Sequence, residues 1–207
     1  MNQAESPALV VSAVRCHGHG PYSLSLATGE CVTLSGPSGS GKSLLLRAIA
    51  DLEPHEGEVW LDGIESRSVS GPEWRKRVGY LAAESAWWGS RVADHFPGSR
   101  PEEWLVELGF DPDVWSARVT DLSTGERQRL ALLRLLASHP QALLLDEPTA
   151  SLDPVNTARV EQLVLAYCRQ HNAPILWVSH NPAQVARIAG RHFAVTPGGL
   201  EPKKIAA

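Results

Sequence analysis

A glycine-rich segment, GPSGSGKS, spans residues 36–43 and ends in a lysine and a serine. Glycines let a backbone approach a ligand closely, and successive N–H groups in such a loop can point inward at an anion. The pattern G-x-x-x-x-G-K-S is typical of a loop that holds the phosphates of a nucleotide. Lys42 is expected to reach the β- and γ-phosphates, and the Ser43 hydroxyl to bind Mg²⁺. We therefore predict a phosphate-binding loop made of Gly36, Pro37, Ser38, Gly39, Ser40, Gly41, Lys42, Ser43 and Leu44.

Two adjacent carboxylates, Asp146 and Glu147, follow the apolar run ALLL and precede Pro148. A carboxylate at the carboxyl end of a parallel strand, beside a phosphate loop, can hold Mg²⁺ through water. Its neighbour can orient or deprotonate an attacking water. A pair of acids in a solvated loop is the plain alternative, and the apolar run before them disfavours it. A nucleotide site alone does not choose between a kinase, a GTPase and an ATPase, but the sequence contains no N-K-x-D motif of the kind that reads guanine, which disfavours a GTPase.

A third motif, LSTGERQR, begins at Leu122 and contains the pattern S-x-x-E. This is the capping box of a helix, in which Ser123 caps the first turn and Glu126 bonds back from the third position. A capped helix N-terminus with Gly125 nearby is also a place where an anion can bind. The residues alone leave both interpretations open.

The elements that must position these motifs follow from hydrophobic periodicity. Short β-rich runs alternate with helical ones, which predicts an α/β domain with a largely parallel sheet. After Lys42 the apolar residues recur at helical spacing, and Asp153 followed by Pro154 predicts the start of another helix. From about residue 83 to residue 138 the strand signal fades, which indicates a helical insert. The predicted strands are ALVVSAV from Ala8, CVTLS from Cys31, EVWLDG from Glu58, ALLLD from Ala142 and ILWVS from Ile175.

Composition narrows the class of protein. The 207 residues suit one domain, and a net charge of -4 gives no electrostatic footprint for nucleic acid. Cys16, Cys31 and Cys168 have neither metal-site nor disulfide-framework spacing, which suits the reducing cytosol. No apolar run reaches the ~20 residues that cross a bilayer, and the first residues lack the features of a signal peptide. We therefore expect that any membrane contact is supplied by another chain.

Five motifs occur together in one order: GPSGSGKS, LSTGERQR, ALLLDEP, SLD at residues 151–153, and WVSH ending at His180. In this order and spacing the chain resembles the ATP-binding subunits of ABC transporters over essentially its whole length. The resemblance implies a P-loop NTPase (RecA-like) core with a mostly parallel sheet, an inserted helical subdomain and an N-terminal antiparallel β region. It also implies a single ABC-type ATPase domain over residues 1–207, with its core at about 1–82 and 140–207 and its insert at about 83–139.

The resemblance assigns roles residue by residue. Lys42 and Ser43 become the phosphate and Mg²⁺ contacts, and Asp146 becomes the second Mg²⁺ contact. Glu147 becomes the general base, and His180 becomes the histidine that touches the γ-phosphate. The expected catalytic residues are therefore Lys42, Glu147 and His180, and the expected cofactors are ATP and Mg²⁺.

In this family two such subunits enclose two ATP molecules head to tail. The resemblance therefore implies that Ser123, Thr124, Gly125 and Glu126 contact ATP bound by a second subunit, with Asp153 near the shared interface. The expected partners are a second ATPase subunit and a transmembrane permease, and no nucleic acid. The expected location is the cytoplasmic face of the cell membrane, through the permease.

Two positions depart from the family pattern. Thr124 replaces the first glycine of the usual Gly-Gly pair, which would be strained at positive φ but tolerable at the first position of a helix. We expect the second case. The segment where an aromatic residue usually stacks on adenine contains Arg15, Cys16 and His17 instead, and Tyr22 comes late. The adenine contact is therefore unassigned, and His17 and His19 are interpreted as loop residues.

The stretch VGYLAAESAWWG, from Val78, contains a third departure. Ala83 stands where the family has a glutamine that contacts Mg²⁺. Either Glu84 supplies an oxygen ligand, or Mg²⁺ keeps a water there; we expect the water, because neighbouring residues of an extended segment point to opposite sides. Trp87 and Trp88 either dock a helix of the membrane partner or pack into the insert.

The resemblance thus implies an ATPase subunit that powers a separate transmembrane transport partner. The alternative is a soluble ABC-type ATPase that acts as a mechanical switch without a membrane partner. Such switches usually have long coiled-coil inserts or two ATPase domains, which this sequence does not show. The compact length and the segment ILWVSHNPAQVARIAGR are most similar to small stand-alone subunits of metal (iron) exporters.

Overall fold

Ten strands form two sheets in the computed structural model, which describes residues 8–98, 100–196 and 198–205. The larger sheet is parallel except at one edge, where its last strand runs antiparallel to its neighbour. A mostly parallel sheet of this kind needs cover on both faces. In spatial order its strands are β10 (Gly199–Lys203), β9 (Arg191–Thr196), β3 (Cys31–Ser35), β8 (Ile175–Val178), β7 (Ala142–Asp146) and β6 (Val78–Leu81).

The smaller sheet is antiparallel and is formed near the N-terminus. Asp62 and Gly63 both have positive φ in the turn between its last two strands, as is usual for an Asp-Gly hairpin turn, so the strand within EVWLDG ends at Leu61. In spatial order its strands are β2 (His19–Leu26), β1 (Leu9–Cys16), β4 (Glu56–Leu61) and β5 (Ile64–Glu65).

Six α-helices in the described ranges complete the fold: α1 (Lys42–Ile49), α2 (Gly71–Arg77), α3 (Glu102–Glu107), α4 (Thr124–Leu136), α5 (Pro154–His171) and α6 (Pro182–Ile188). Short 3₁₀ turns at Ser66–Ser68, Val92–His95, Pro112–Ser116 and Val119–Asp121 join them. Every helix or turn between β6 and β7 belongs to the region predicted as the helical insert. The predicted α/β fold class, with its parallel core and antiparallel N-terminal sheet, is confirmed.

The starts of two long helices are those that the sequence predicts. Ser123 caps α4, where its Oγ accepts a hydrogen bond from the Glu126 backbone N–H at 3.2 Å. Asp153 caps α5, where its Oδ1 accepts from the N–H groups of Val155 and Asn156. None of the described helices combines the length and the apolar content needed to cross a bilayer.

The core has two parts, one on each face of the larger sheet. Alternate residues of a strand point to opposite faces, so neighbours along β7 and β8 enter different clusters. Leu143, Leu145, Ile175 and Trp177 join the helices of the insert and α5, whereas Ala142, Leu144, Leu176 and Val178 join α1 and the antiparallel sheet. A slip of one residue in either strand would exchange the two faces, so burial fixes the register.

Trp74 of α2 offers a direct test of the second cluster. Its side chain is fully buried, and its indole N–H donates a 2.8 Å hydrogen bond to the Ile49 carbonyl at the end of α1. We expect Trp74→Phe to lower the free energy of unfolding by about 2–3 kcal/mol, because it leaves that carbonyl unpaired and opens a small cavity. Urea unfolding measures this loss.

The control is Trp88→Phe, because the Trp88 side chain is 73% exposed. This variant should change the free energy of unfolding by less than about 0.5 kcal/mol. Equal losses in the two variants would contradict the assignment of Trp74 to the core.

Candidate active site

The candidate residues meet at one edge of the larger sheet. Strand β8 pairs in parallel with β3 on one side and with β7 on the other. The carboxyl ends of these three strands therefore lie together. The phosphate loop follows β3, Asp146 and Glu147 lie at the end of β7, and His180 follows β8.

The phosphate loop connects β3 to α1 through residues 36–41. Gly36 and Gly41 have positive φ values of 147° and 94°, and a Cβ at Gly36 would lie 2.8 Å from the Val195 carbonyl oxygen. Lys42 Nζ donates to the carbonyl oxygens of Gly36 and Pro37, at 2.8 and 2.9 Å. Ser40 Oγ is buried in the loop and makes no hydrogen bond with the described residues. The loop thus combines a cation, a buried hydroxyl without a partner in the described ranges and the start of a helix, groups that suit an anionic ligand.

Two side chains from the antiparallel sheet support this loop. The Tyr22 hydroxyl donates to the Ser40 carbonyl oxygen at 3.2 Å, and a Cβ at Gly41 would lie 3.0 Å from ring atoms of His19. Tyr22 is fully buried, so no face of its ring is open to a nucleotide base. The loop interpretation is right for His17, in a turn beside Glu53, but wrong for His19, which begins β2.

Asp146 lies at the end of β7 and is only 4% exposed. The Tyr80 hydroxyl, from neighbouring strand β6, donates to its Oδ2 at 3.3 Å. Burial and the nearby Asp146 charge raise the pKa of Tyr80, so the phenol stays protonated and remains a donor. Burial lowers the pKa of Lys42, and the negative charges of Glu147 and Asp146 offset part of that effect. Lys42 and the two acids therefore lie at the same edge of the sheet, where their charges interact.

Glu147 and His180 form the direct contact of the site. His180 Nε2 lies 3.1 Å from Glu147 Oε1, although the two residues follow different strands. Glu147 has a φ of 48°, the left-handed region that costs a non-glycine residue about 1–2 kcal/mol. Both side chains line a cleft of about 640 Å³ between the loops and α5 and α6. A carboxylate in this position can accept a proton from water while the imidazole holds its orientation.

The LSTGERQR motif supports a helix start. Glu126 Oε2 accepts from the Ser123 N–H at 2.8 Å and from the Ser123 hydroxyl at 2.7 Å, which completes the capping box. Thr124 is the first residue of α4 and is not among the positive-φ residues, so it replaces a glycine here without strain. Within the described ranges, no hydrogen bond joins Ser123–Glu126 to the phosphate loop. A Cβ at Gly125 would lie 3.0 Å from Leu152, next to Asp153.

The segment after β6 is held by a residue that the sequence did not indicate. Gln128 of α4 is 4% exposed; its Nε2 donates to the Ala82 carbonyl at 3.0 Å, and its Oε1 accepts from Ser85 at 2.6 Å. Glu84 is exposed and forms no hydrogen bond or ion pair with the part of the chain that is described. No group of three His, Cys, Asp or Glu side chains in those residues could hold a metal ion.

Trp87 and Trp88 take different positions. Trp87 packs partly buried against the insert, whereas Trp88 is exposed. Both rings contact His95 edge-on, with centroids 4.6 and 4.4 Å away, and the Arg134 guanidinium lies 4.8 Å from each ring centroid. The packing alternative thus holds for Trp87, and Trp88 is the ring left at the surface.

Comparison with known proteins decides the class of the molecule. Residues 20–150 match the family profile described as ABC transporter. The chain belongs to the ABC transporter family. It is an ATP-binding subunit of that family and an ATPase, as the five motifs predict.

Two curated relatives and one solved structure illustrate the similarity. Rice (Oryza sativa subsp. japonica) "Protein STAR1" is 36% identical over 178 residues, which cover 80% of this chain and 51% of STAR1, so the ATPase spans about half of that relative. The "Probable iron export ATP-binding protein FetA" of Escherichia coli K12 is 32% identical over 173 residues, covering 78% of this chain and 77% of FetA. The dimeric ATP-binding cassette MJ0796, in a post-hydrolysis state with ADP and Pi, has a TM-score of 0.83 at 23% identity, covering 96% of this chain and 99% of that chain.

The Tyr22 hydroxyl gives a test of the phosphate loop of this ATPase. We expect Tyr22→Phe to weaken ATP binding about fivefold, since the loop loses a hydrogen bond of about 1 kcal/mol that fixes Ser40. Titration of the purified chain with ATP measures the affinity.

The matched control is Tyr167→Phe, which removes a buried hydroxyl that donates to the Pro140 carbonyl at 2.7 Å, outside the phosphate loop. It should lower stability and leave ATP affinity unchanged. An equal loss of ATP affinity in both variants would show that general destabilisation causes the effect.

Proposed function

We propose that the ATPase hydrolyses Mg²⁺-bound ATP with Glu147 as general base and His180 as its partner at the γ-phosphate. The observation that carries this proposal is the 3.1 Å contact between them, beside the loop that contains Lys42. Lys42 then leaves the loop carbonyls and neutralises the β- and γ-phosphates. Stabilisation of charge and orientation of water supply most of the catalysis in phosphoryl transfer.

The side chains present fit a magnesium ion. Ser43, the second residue of α1, offers a hydroxyl, and Asp146 offers a buried carboxylate that accepts a hydrogen bond from Tyr80. Mg²⁺ takes one or two protein oxygens together with phosphate oxygens and water, so this pair is sufficient. When bound, the ion would supply positive charge to the phosphates. Glu84 is exposed and lacks any contact that would aim it at the site, which supports water as the third type of ligand.

We propose further that two chains complete each site. Ser123, Thr124, Gly125 and Glu126 lie at the start of α4, where the N–H groups of Thr124 and Gly125 have no partner within the helix. These donors suit the phosphate of an ATP held by a second copy. Asp153 lies near the same surface, because it follows Leu152, which packs on Gly125. The dimeric form of the solved MJ0796 cassette supports this arrangement.

The membrane partner is proposed to dock at Trp88. An exposed tryptophan backed by His95 and Arg134 is a rigid apolar anchor next to the segment that follows β6. Gln128 joins that segment to α4, so a movement of the segment would be transmitted through Gln128 and α4 to a transmembrane permease. The ATPase is then located at the cytoplasmic face of the membrane through this partner.

The central test is Glu147→Gln. Loss of the general base should reduce kcat for ATP hydrolysis at least about 100-fold, while ATP binding persists and an ATP-bound dimer accumulates. Phosphate release and size-exclusion chromatography with ATP measure the two effects. The control is Glu103→Gln, which removes one exposed charge on α3.

The same assay tests the shared site through Gly125→Glu. A carboxylate at the start of α4 would repel the phosphates of the second copy's ATP and crowd Leu152. Retained turnover in Glu147→Gln would refute the general base, and an unchanged dimer and turnover in Gly125→Glu would refute the shared site.

Trp88→Ala tests the membrane partner. Co-purification with the transmembrane subunit should fall at least about tenfold, since an aromatic side chain that becomes buried on binding contributes several kcal/mol to an interface. ATP hydrolysis by the isolated chain should be unchanged. The control is Val106→Ala, at an exposed apolar residue of α3. Equal recovery of the transmembrane subunit by wild type and Trp88→Ala would contradict docking at this ring.

A further inference from the structure

A buried polar network lies beneath the Glu147–His180 pair. Its centre is Gln184 of α6, which is 2% exposed. Gln184 Nε2 donates to Glu161 Oε1 and to Thr149 Oγ1, both at 2.9 Å, and Gln184 Oε1 accepts from Ser179 Oγ at 2.7 Å. The orientation of the amide is chemically determined, because the Glu161 carboxylate can only accept and therefore faces the NH₂ group.

An ion pair fixes the far end of this network. Arg187 Nε and Nη2 donate to the two oxygens of Glu161, at 3.0 and 2.7 Å. Glu161 is only 6% exposed, and this bidentate contact holds its carboxylate in one orientation. The amide of Gln184 is therefore held from three sides by groups that are themselves positioned.

The network reaches both loops that contain the reacting groups. Thr149 lies two residues after Glu147, and Ser179 directly precedes His180. Ser179 Oγ also accepts the Asn181 N–H at 3.1 Å, at the start of α6. Glu147 and His180 themselves are partly exposed, and the left-handed backbone of Glu147 persists only if its surroundings hold it. The buried amide beneath them supplies that support.

We propose that Gln184 is a positioning residue for ATP hydrolysis: its single amide sets the separation between Glu147 and His180 by bonding to both loops. The inference rests on the proposed function, because it assigns the geometry of the same general base. Gln184 forms no hydrogen bond with Glu147 or His180 themselves, so it acts on them through Thr149 and Ser179. Its removal should affect turnover and leave ATP binding by the phosphate loop unchanged.

The test compares Gln184→Met with wild type. Methionine keeps the length and burial of the side chain but removes both donor and acceptor. We expect kcat to fall at least about tenfold, because small displacements of a catalytic group are costly, while KM for ATP stays within about twofold. The control is Gln162→Met, the same change at an exposed neighbour of Glu161, which should leave both constants unchanged.

An exchange of chemical groups separates positioning from folding. Gln184→Glu alone places a carboxylate against Glu161 and should reduce kcat even more than Gln184→Met. Adding Glu161→Gln restores a donor opposite the new carboxylate, which can still accept from Ser179 and Thr149. The double variant should recover kcat to within about threefold of wild type. This comparison remains decisive if Gln184→Met fails to fold.

The outcomes distinguish the two proposals. An unchanged kcat in Gln184→Met would overturn the positioning role. The role would also be overturned if the double variant did not recover kcat although thermal unfolding showed that it is folded. A parallel rise in KM would likewise overturn it. Absence of ATP turnover in the unchanged chain would instead contradict the proposed function itself.

Discussion

Strand β8 pairs in parallel with β3 and with β7, and everything at the candidate site depends on that pairing. The three strands bury alternate residues in two separate cores. A one-residue shift in the register of any of them would therefore exchange the residues that face the two cores. The loops that follow the three strands begin at the same edge of the sheet. The phosphate loop, the acidic pair and His180 are assembled by this register, although more than 130 residues separate the first from the last.

Neutral amides join the elements around this edge. Gln128 connects α4 to the segment after β6, and Gln184 connects the loops that follow β7 and β8. An amide donates and accepts at once and can be buried without the desolvation cost of a charge. The charges of the site, Lys42 and the two acids, are thus left for the ligand.

The sequence predicts those parts of the fold that depend on neighbours along the chain. The helix start at Ser123 and the uniform burial of β7 follow from residues within a few positions, and both are confirmed. The contact from Tyr80 to Asp146 spans 66 residues, and the contact from Tyr22 to the phosphate loop spans 18. Side chains that meet across strands leave no periodic signal, which is why sequence analysis missed them.

Local patterns also failed where one residue had two possible environments. Trp87 and Trp88 are identical and adjacent, yet one packs against the core and the other faces solvent. In the described residues of the insert, the one α-helix before α4 is α3, whose six residues are too short to assign faces to them. Glu147 is a similar case, because a glutamate side chain gives no indication in the sequence that its backbone is left-handed.

Lys42 donates two hydrogen bonds to carbonyl oxygens of its own loop, so these oxygens compete with a ligand for the ammonium group. A nucleotide gains the ammonium only by displacing the carbonyl oxygens of Gly36 and Pro37. A neutral or weakly charged acceptor cannot displace two well-aligned carbonyl oxygens from the ammonium group. A polyphosphate can displace them, because charged acceptors form stronger hydrogen bonds. The resting contacts of a single lysine therefore favour a charged phosphate group over a neutral ligand.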